Sequence, residues 1–249
     1  MKKDLKKKVL ITGASGGFGQ KISLAFAKKN FKVILVYKNN TKEINNLKIK
    51  LKKLDCEYKI FKSDITKTKE RRKILDYLKK NDGLDILVNN AGINNVSDFE
   101  EITEADWDKI MNINLKSAFF LTQGIFSIMK SQKHGRIINI SSGAALYHGP
   151  KTAHYAISKA GLISMTKLIA RFGAPYNIMC NAIAPGIIKT NLTKNEVKGK
   201  GGQNYIDMTL LKRFGEISDV VSAVLFLASE NQNYITGDVI NLTGGASLG

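Results

Sequence analysis

Tyr155 and Lys159 are polar side chains four positions apart, in a stretch whose apolar pattern predicts a helix over Ala153–Phe172. Residues four apart on a helix share a face, so the lysine ammonium should lie beside the phenol. A neighbouring positive charge favours the phenolate and lowers the pKa of the phenol. Such a phenol can give a proton to a developing alkoxide or take one from an alcohol.

A hydroxyl group is predicted close to this pair. Ser142 follows a run of β-branched residues that predicts a strand over Gly135–Ile140. In open α/β sheets, ligands bind at the carboxyl ends of the strands. The Ser142 hydroxyl is therefore placed to hold a carbonyl oxygen, although a Tyr-x-x-x-Lys pair by itself is common and often structural.

A glycine-rich turn indicates a phosphate site. The predicted strand Lys8–Thr12 runs into the sequence GASGGFG at residues 13–19, and the predicted helix Phe18–Lys29 follows. Glycines let the chain turn tightly and let a pyrophosphate approach the backbone N–H groups at the positive end of the helix dipole. In the first βαβ unit, this arrangement is typical of dinucleotide binding.

The residues after the second predicted strand, Lys32–Val36, bear on which dinucleotide binds. In this fold a carboxylate there bonds the ribose 2′-hydroxyl of NAD, whereas a cation suits the 2′-phosphate of NADP. The sequence that follows is YKNN, which contains no carboxylate. NADP(H) is the predicted cofactor, with Lys38 at the 2′-phosphate; the alternative is that Lys38 is one more surface lysine. Asp64, after the third strand, could accept a hydrogen bond from the adenine amino group.

The chain alternates short β-branched runs with longer amphipathic stretches, which predicts a single α/β domain over residues 1–249. This alternation is typical of a Rossmann-type, doubly wound parallel sheet, here of seven strands. The predicted strands are Lys8–Thr12, Lys32–Val36, Glu57–Phe61, Leu84–Asn89, Gly135–Ile140, Asn177–Ala182 and Asp238–Leu242. The predicted helices are Phe18–Lys29, Thr41–Leu54, Lys67–Lys80, Trp107–Lys130, Ala153–Phe172 and Ser218–Ala228. The segment Asn191–Gln203 is predicted to be loose, within a mobile substrate loop of about residues 191–211.

The composition argues against a membrane protein and against a nucleic-acid-binding protein. No apolar run approaches the roughly 18 residues of a membrane span, and the two distant cysteines suit the cytoplasm. The 39 Lys+Arg residues exceed the 21 Asp+Glu residues by 18, but aromatic residues are not interleaved with them as in a nucleic-acid groove. A solvated surface is the first interpretation, and steering of an anionic cofactor or substrate is the second. The histidines His134, His148 and His154 lack metal-ligand spacing and are expected in loops or at the surface, so no metal site is predicted.

Several motifs follow one another in an order that carries a family resemblance. They are TGASGGFG at Thr12–Gly19, NNAG at Asn89–Gly92, Asn114, Ser142, YAISK at Tyr155–Lys159, and Pro185-Gly186. In this set, and in the 13-residue gap from Ser142 to Tyr155, the chain resembles the short-chain dehydrogenases/reductases from Lys8 to Gly245. The resemblance implies hydride transfer between a nicotinamide and a carbonyl/alcohol pair.

The resemblance also implies a catalytic tetrad. Tyr155 would be the acid/base, and Ser142 would orient the carbonyl. Lys159 would hold the nicotinamide ribose and tune Tyr155, and Asn114 would anchor a water in a proton relay. The implied cofactor positions, with those argued above, are Gly13, Ser15, Gly17, Phe18, Gly19, Lys38, Asp64, Ile65, Asn90, Ala91, Gly92, Tyr155, Lys159, Pro185, Gly186, Ile188 and Thr190. A non-catalytic dinucleotide sensor is the rival from another class, and the filled tetrad weighs against it.

Three segments resemble the 3-oxoacyl-(acyl-carrier-protein) reductase branch of that family: HGRII at 134–138, APGIIKT at 184–190 and YITG at 234–237. The leading interpretation is a small-molecule carbonyl substrate, a 3-oxoacyl thioester carried on acyl carrier protein or coenzyme A. Reduction of a sugar-derived or secondary-metabolite ketone is the alternative. Of two basic positions with which that branch docks its carrier, one is Lys133 and the other is Tyr176. The helices around Trp107–Lys130 and Ala153–Phe172 form subunit contacts in the family, which implies a homotetramer.

Overall fold

The five inner strands of the sheet are runs of mostly apolar residues that are buried on both faces, whereas the two edge strands are partly exposed. The computed structural model describes residues 6–147, 152–190, 193, 197 and 200–246. Every residue of the strand Lys8–Thr12 is buried, as expected for a parallel strand with helices on both sides. The strands are β1 (Lys8–Thr12), β2 (Lys32–Tyr37), β3 (Tyr58–Lys62), β4 (Ile86–Asn89), β5 (Gly135–Ile140), β6 (Ile178–Pro185) and β7 (Val239–Leu242).

All the strand pairs are parallel, and the sheet has the order β3-β2-β1-β4-β5-β6-β7. The chain therefore winds outward from β1 in one direction and then returns to continue on the other side with β4. Val9 of β1 pairs with Val33 of β2 on one side and with Ile86 of β4 on the other. The prediction of a doubly wound, seven-stranded parallel sheet is confirmed.

The helices cover both faces of the sheet. They are α1 (Gly17–Lys28), α2 (Thr41–Lys53), α3 (Thr68–Lys80), α4 (Glu104–Met111), α5 (Ser117–Gln132), α6 (Ala144–Tyr147), α7 (Ala153–Gly173), α8 (Lys200–Met208) and α9 (Ile217–Ala228), with short 3-10 turns at Phe99–Glu101 and Ala174–Tyr176. Helices α1, α2 and α9 share one apolar layer, and α3, α5 and α7 share the other. Within β1, Val9 and Ile11 face the first layer and Leu10 faces the second, as the two-residue period of a strand requires. Among the described residues, no helix is long and apolar enough to span a membrane.

The helix predicted over Trp107–Lys130 is present, but its hydrogen bonding is not α-helical throughout. Helix α4 ends at Met111, a π-helical turn occupies Asn112–Lys116, and α5 begins at Ser117. A π-turn inserts an extra residue into the helix, and such turns are frequent at functional sites. The π-turn contains Asn114, whose side chain hydrogen-bonds to the backbone of Ile93 outside the helix. The change from α- to π-helical bonding therefore coincides with a tertiary contact.

Two further predictions fail in part. Residues 200–203 of the segment expected to be loose belong to α8; residues 191, 192, 194–196, 198 and 199 lie outside the described residues, and the mobility of the loop stays a prediction. His154 was expected in a loop or at the surface, but it is completely buried in α7, which packs against α4. His134 is half-buried before β5, and His148 lies outside the described residues.

Candidate active site

The predicted site residues gather at the carboxyl edge of the sheet. Because all strands are parallel, β1, β4, β5 and β6 end on the same side, and each is followed by a predicted motif. The strand order reverses direction between β1 and β4, which is where open α/β sheets form their ligand crevice. The architecture alone therefore places the glycine turn, Asn90, Ser142 and Pro185 around one crevice.

The glycine turn after β1 needs glycine at two positions, Gly13 and Gly19; a Cβ at Gly19 would stand 2.8 Å from the Ala14 Cα. Gly13 has a φ of +64°, and a Cβ there would stand 2.9 Å from the Ala91 Cα. Helix α1 then begins at Gly17, where no side chain caps the helix and no acidic residue occupies the first turn. The first backbone N–H groups of α1 thus remain available to an anion at the positive end of the helix dipole.

The NNAG motif fastens this turn to β4. The Thr12 hydroxyl oxygen accepts hydrogen bonds from the backbone N–H groups of Asn90 and Ala91, both at 3.0 Å. The Asn90 side-chain amide donates to the carbonyl oxygens of Thr12 at 2.8 Å and Gly13 at 3.2 Å. Asn90, one of the predicted cofactor positions, therefore also fixes the backbone of the phosphate turn.

Tyr155 and Lys159 lie on one face of α7, with the Lys159 Nζ 5.7 Å from the centre of the Tyr155 ring. Lys159 is only 4% exposed, and its ammonium donates to the Ile140 carbonyl oxygen at 2.8 Å. Burial lowers the pKa of Lys159 to about 8, because the charged form loses its hydration. Tyr155 itself is half-buried.

Asn114 and Lys159 meet at Gly92. A Cβ at Gly92 would stand 3.2 Å from the Lys159 Nζ and 3.3 Å from the Asn114 Oδ1, so the glycine allows both groups to approach. The Asn114 Oδ1 accepts from the Ile93 N–H at 2.8 Å. Its amide group donates to the Ile93 carbonyl at 2.9 Å and to the Ser158 hydroxyl at 3.1 Å. Both amide hydrogens are thus used within the protein, and Asn114 could serve a water only as an acceptor.

Ser142 stands half-buried directly after β5, where its hydroxyl oxygen accepts from the Ala144 N–H at 3.2 Å and so caps the short helix α6. The preceding residue, Ser141, donates its hydroxyl to the Lys159 backbone carbonyl at 2.9 Å. The end of β5 is thereby tied to α7, which holds Ser142 near the Tyr155–Lys159 pair.

A buried polar ladder supports these elements, and the sequence reading missed it. The Asn89 amide donates to the Thr122 hydroxyl and to the Asn139 Oδ1, both at 2.8 Å. The Asn139 amide in turn donates to the Thr166 hydroxyl at 2.8 Å. The ladder joins β4, β5, α5 and α7 beneath the site. Its only signal in the sequence is an asparagine near the end of each of two apolar strands.

The adenosine end of the predicted site contains an ion pair. The Lys38 Nζ lies 2.8 Å from the Asp64 carboxylate, which also accepts from the Thr66 hydroxyl and N–H. Burial alone would raise the pKa of Asp64, but the hydrogen bonds from Lys38 and Thr66 outweigh it and hold the pKa below its usual value. The two residues assigned to the 2′-phosphate and to adenine are therefore bonded to each other, beside the buried Ile65.

The segment after β6 closes the other side of the crevice. Pro185 ends β6, and its carbonyl accepts from the Gly143 N–H at 2.7 Å, next to Ser142. Ile188 is buried and pairs with Gly215. The Thr190 N–H donates to the Thr193 hydroxyl, which donates to the Ile188 carbonyl, so this stretch forms a compact turn.

Two tyrosines that sequence reasoning did not single out also reach this place. Tyr147 ends α6, five positions after Ser142, and its hydroxyl lies against Gly143. Tyr205 of α8 directs its hydroxyl to the Ile187 N–H at 3.0 Å. For the first, a tyrosine about one helical turn beyond a predicted catalytic serine was a usable signal. The second lies within the predicted mobile substrate loop of about residues 191–211.

A parallel sheet with this strand order, a glycine turn at its switch point, and a Tyr–Lys pair beside a serine together define a class of nucleotide-dependent oxidoreductases. The sequence profile described as short chain dehydrogenase matches residues 7–201, and the chain belongs to that family. It is therefore an oxidoreductase of the short-chain dehydrogenase/reductase type.

Individual relatives agree with this assignment. The chain is 36% identical to the 3-oxoacyl-[acyl-carrier-protein] reductase FabG of Thermotoga maritima, over 96% of this chain and 97% of the relative. It is 37% identical to the corresponding protein of Aquifex aeolicus, over 95% of each chain. Among solved structures, ElxO with NADP bound superimposes with a TM-score of 0.90 at 31% identity, covering 98% of this chain and all of that one.

Proposed function

We propose that this protein uses NADPH to reduce the ketone of a 3-oxoacyl thioester to a secondary alcohol. The observation that carries the proposal is the buried Lys159 ammonium beside Tyr155, at the sheet edge that also presents Ser142 and the uncapped start of α1. The relatives named above support the thioester as substrate, since they are 3-oxoacyl-[acyl-carrier-protein] reductases.

The residues present fit a nicotinamide dinucleotide. Helix α1 offers N–H groups that no side chain caps, and a Cβ at Gly17 would meet only the Ile217 side chain at 3.7 Å, so the turn is open on that side. The residues after β2 include Lys38 and no carboxylate, which favours a 2′-phosphate. The neighbour ElxO with NADP bound supports the same choice.

When bound, NADPH supplies the hydride, and the protein supplies orientation and a proton. The Ser142 hydroxyl donates a hydrogen bond to the ketone oxygen and fixes its position. Tyr155 gives its phenolic proton to the same oxygen as negative charge develops there. The Lys159 ammonium stabilises the phenolate that remains on Tyr155, and it acts strongly because few water molecules screen it.

The proposal also includes a carrier for the substrate. Lys133 follows the end of α5, and Tyr176 occupies the second of the two basic carrier-docking positions. The Lys130 Nζ lies 4.5 Å from the centre of the Tyr176 ring, so a cation stands at that position after all. We expect Lys130→Glu to raise KM for a thioester on acyl carrier protein while KM for the coenzyme A thioester stays unchanged. Equal KM changes for both carriers would contradict docking at this place.

A homotetramer completes the proposal. Helices α5 and α7 leave apolar side chains exposed, which is unusual unless another surface covers them. They are Phe119, Phe120, Ile157, Leu168 and Phe172. Light scattering after size-exclusion chromatography is expected to give four times the chain mass, and Phe172→Glu is expected to lower it.

The central experiment measures oxidation of NADPH with a panel of ketones. We expect acetoacetyl coenzyme A or another acetoacetyl thioester to be turned over with a higher kcat/KM than simple ketones and sugar-derived ketones, and NADPH to be preferred to NADH. A panel in which only sugar-derived or unactivated ketones react would overturn the thioester assignment, and no oxidation with any ketone would overturn the enzyme's proposed direction.

A further inference from the structure

Tyr147 and Tyr205, the phenol pair, stand between the two halves of the candidate site. The Tyr147 hydroxyl lies against Gly143, the residue after Ser142, and the Tyr205 hydroxyl lies against Gly186, one of the predicted cofactor positions. The Gly143 N–H donates to the Pro185 carbonyl, so these two backbone segments are bonded directly beneath the pair. The phenol pair is thus placed beside both the group that holds the ketone and the segment assigned to the cofactor.

The two hydroxyls face each other but differ in how they are bonded. Tyr205 is anchored: its oxygen accepts from the Ile187 N–H at 3.0 Å, it points to the Thr243 carbonyl at 3.5 Å, and its ring stacks on Phe214 with centroids 5.9 Å apart. The Tyr147 oxygen is buried beside the Tyr205 hydroxyl, its hydrogen-bonding neighbour, but makes no hydrogen bond of ordinary geometry to any described residue. Buried polar atoms that lack a well-formed hydrogen bond are rare in native proteins, and each requires an explanation.

Both phenols keep their protons at neutral pH. Burial, followed by the neighbouring Tyr205 hydroxyl, raises the pKa of Tyr147 far above its ordinary value, and burial raises the pKa of Tyr205. Tyr147 therefore offers a hydrogen-bond donor, and the group that satisfies it must be an acceptor oxygen. Since Tyr205 already has the Ile187 N–H and the Thr243 carbonyl nearby, Tyr147 is the member of the pair with a proton to give.

We propose that the phenol pair is a subsite for a second oxygen of the substrate, with Tyr147 donating a hydrogen bond to it. This inference rests on the proposed function and makes it more specific. In a 3-oxoacyl thioester, one methylene separates the ketone from the thioester carbonyl. With the ketone oxygen at Ser142 and Tyr155, the thioester oxygen lies beside Tyr147 and accepts the hydrogen bond from its hydroxyl. Tyr147 is then a specificity residue for 1,3-dicarbonyl compounds.

The test compares Tyr147→Phe with the wild type on two substrates. One is an acetoacetyl thioester, and the other is the matched monoketone thioether in which a methylene replaces the thioester carbonyl. We expect kcat/KM for the thioester to fall about 10- to 100-fold, the scale of one hydrogen bond to a buried group, while kcat/KM for the monoketone stays within about twofold. Tyr234→Phe, which alters a fully exposed tyrosine, is the control and should change neither value.

A purely structural role would give a different pattern. Equal losses on both substrates, or a lowered melting temperature of Tyr147→Phe with weakened NADPH binding, would show that Tyr147 only supports the fold. Unchanged values on both substrates would show that it does not meet the substrate. If the wild type reduces no thioester, the proposed function fails instead. The subsite is then judged on 2,4-pentanedione against 2-pentanone, where the absence of a selective loss overturns it.

Discussion

The two lysines assigned to this site have opposite surroundings. The Lys38 side chain is 55% exposed and forms an ion pair with Asp64, whereas Lys159 is 4% exposed and donates to a backbone carbonyl. Water and a counter-charge weaken the field of Lys38, so it can select between two cofactors without a large effect on folding. The ammonium of Lys159 lies in a medium of low dielectric constant, so water screens its charge little towards Tyr155, and its burial destabilises the folded state.

The largest effect on turnover is expected at Tyr155, the predicted proton donor beside Lys159. Tyr155→Phe removes the phenolic proton but keeps the ring beside Lys159. We expect turnover to fall by about 10²–10⁴-fold, as for other positioned proton donors, while NADPH affinity stays nearly unchanged. Steady-state kinetics and a fluorescence titration of NADPH separate the two quantities. Near-normal turnover would remove Tyr155 from the mechanism.

The next prediction concerns how strongly the buried ammonium of Lys159 destabilises the folded protein. The pKa of Lys159 falls from 10.5 in the unfolded chain to about 8 in the folded protein. Between these values the unfolded state binds more protons, so the contribution of Lys159 to stability rises from pH 8 to pH 10.5. Lys159→Met removes this cost, so its free energy of unfolding relative to the wild type should be about 2–3 kcal/mol higher at pH 7 than at pH 10. In the variant, the Ile140 carbonyl loses its donor at every pH, which adds no pH dependence.

Urea unfolding of both proteins at pH 7 and pH 10 measures that difference. All other groups titrate in both proteins, so only the pH dependence of the difference reports on Lys159. We expect Lys159→Met to be inactive at both pH values. A difference in unfolding free energy that does not change with pH would show that burial of the charge is not costly.

A smaller effect is expected at the exposed lysine. Lys38→Asp replaces a cation suited to the 2′-phosphate by a carboxylate suited to a ribose hydroxyl. We expect the preference for NADPH over NADH to fall by about 1–3 kcal/mol, the scale of a charge-assisted hydrogen bond. Lys42→Asp makes the same charge change on an exposed residue of α2 and serves as the control. Wild-type protein that already prefers NADH would refute the assignment.

The smallest effect is expected from the partner of Lys38. Asp64→Asn removes the carboxylate that competes with a phosphate for Lys38, while its side-chain oxygen can still accept a hydrogen bond. We expect NADPH affinity to rise by no more than about 1 kcal/mol, the usual limit for an exposed ion pair, and NADH affinity to stay the same. Equal changes in the affinities for NADPH and NADH would show that the effect of Asp64→Asn does not depend on the 2′-phosphate.

The strands could be predicted because their signal is local. Continuous apolar runs such as Val9–Ile11 indicate a strand buried on both faces, whatever the rest of the chain does. Strand β6 extends three residues past its predicted end because Ile183 and Ala184 pair with β7, and Ile183 also pairs with β5. Such extensions depend on neighbours that the local sequence does not contain.

Features set by distant contacts were not predictable. The π-turn at Asn112–Lys116 accompanies the bonds between Asn114 and Ile93, 21 positions away. Helix α8 begins at a glycine-rich sequence of low helix propensity, and the Tyr205 contacts with Ile187 and Phe214 hold it in place. Of the candidate site, the motif residues were found from type and spacing, whereas the phenol pair became visible only when α6 and α8 were brought together.

The central position of β1 has a consequence for the newly made chain. Strand β2, which pairs with one edge of β1, follows soon after β1 in the chain. Strand β4, which pairs with the other edge, begins 78 positions after β1 begins and is therefore synthesised much later. Until β4 has left the ribosome, Val9, Leu10 and Ile11 form an open apolar strand edge, the kind that recruits other chains. Fragments that end before Ile86 should therefore aggregate during synthesis, whereas fragments that extend beyond Asn89 should stay dispersed for longer.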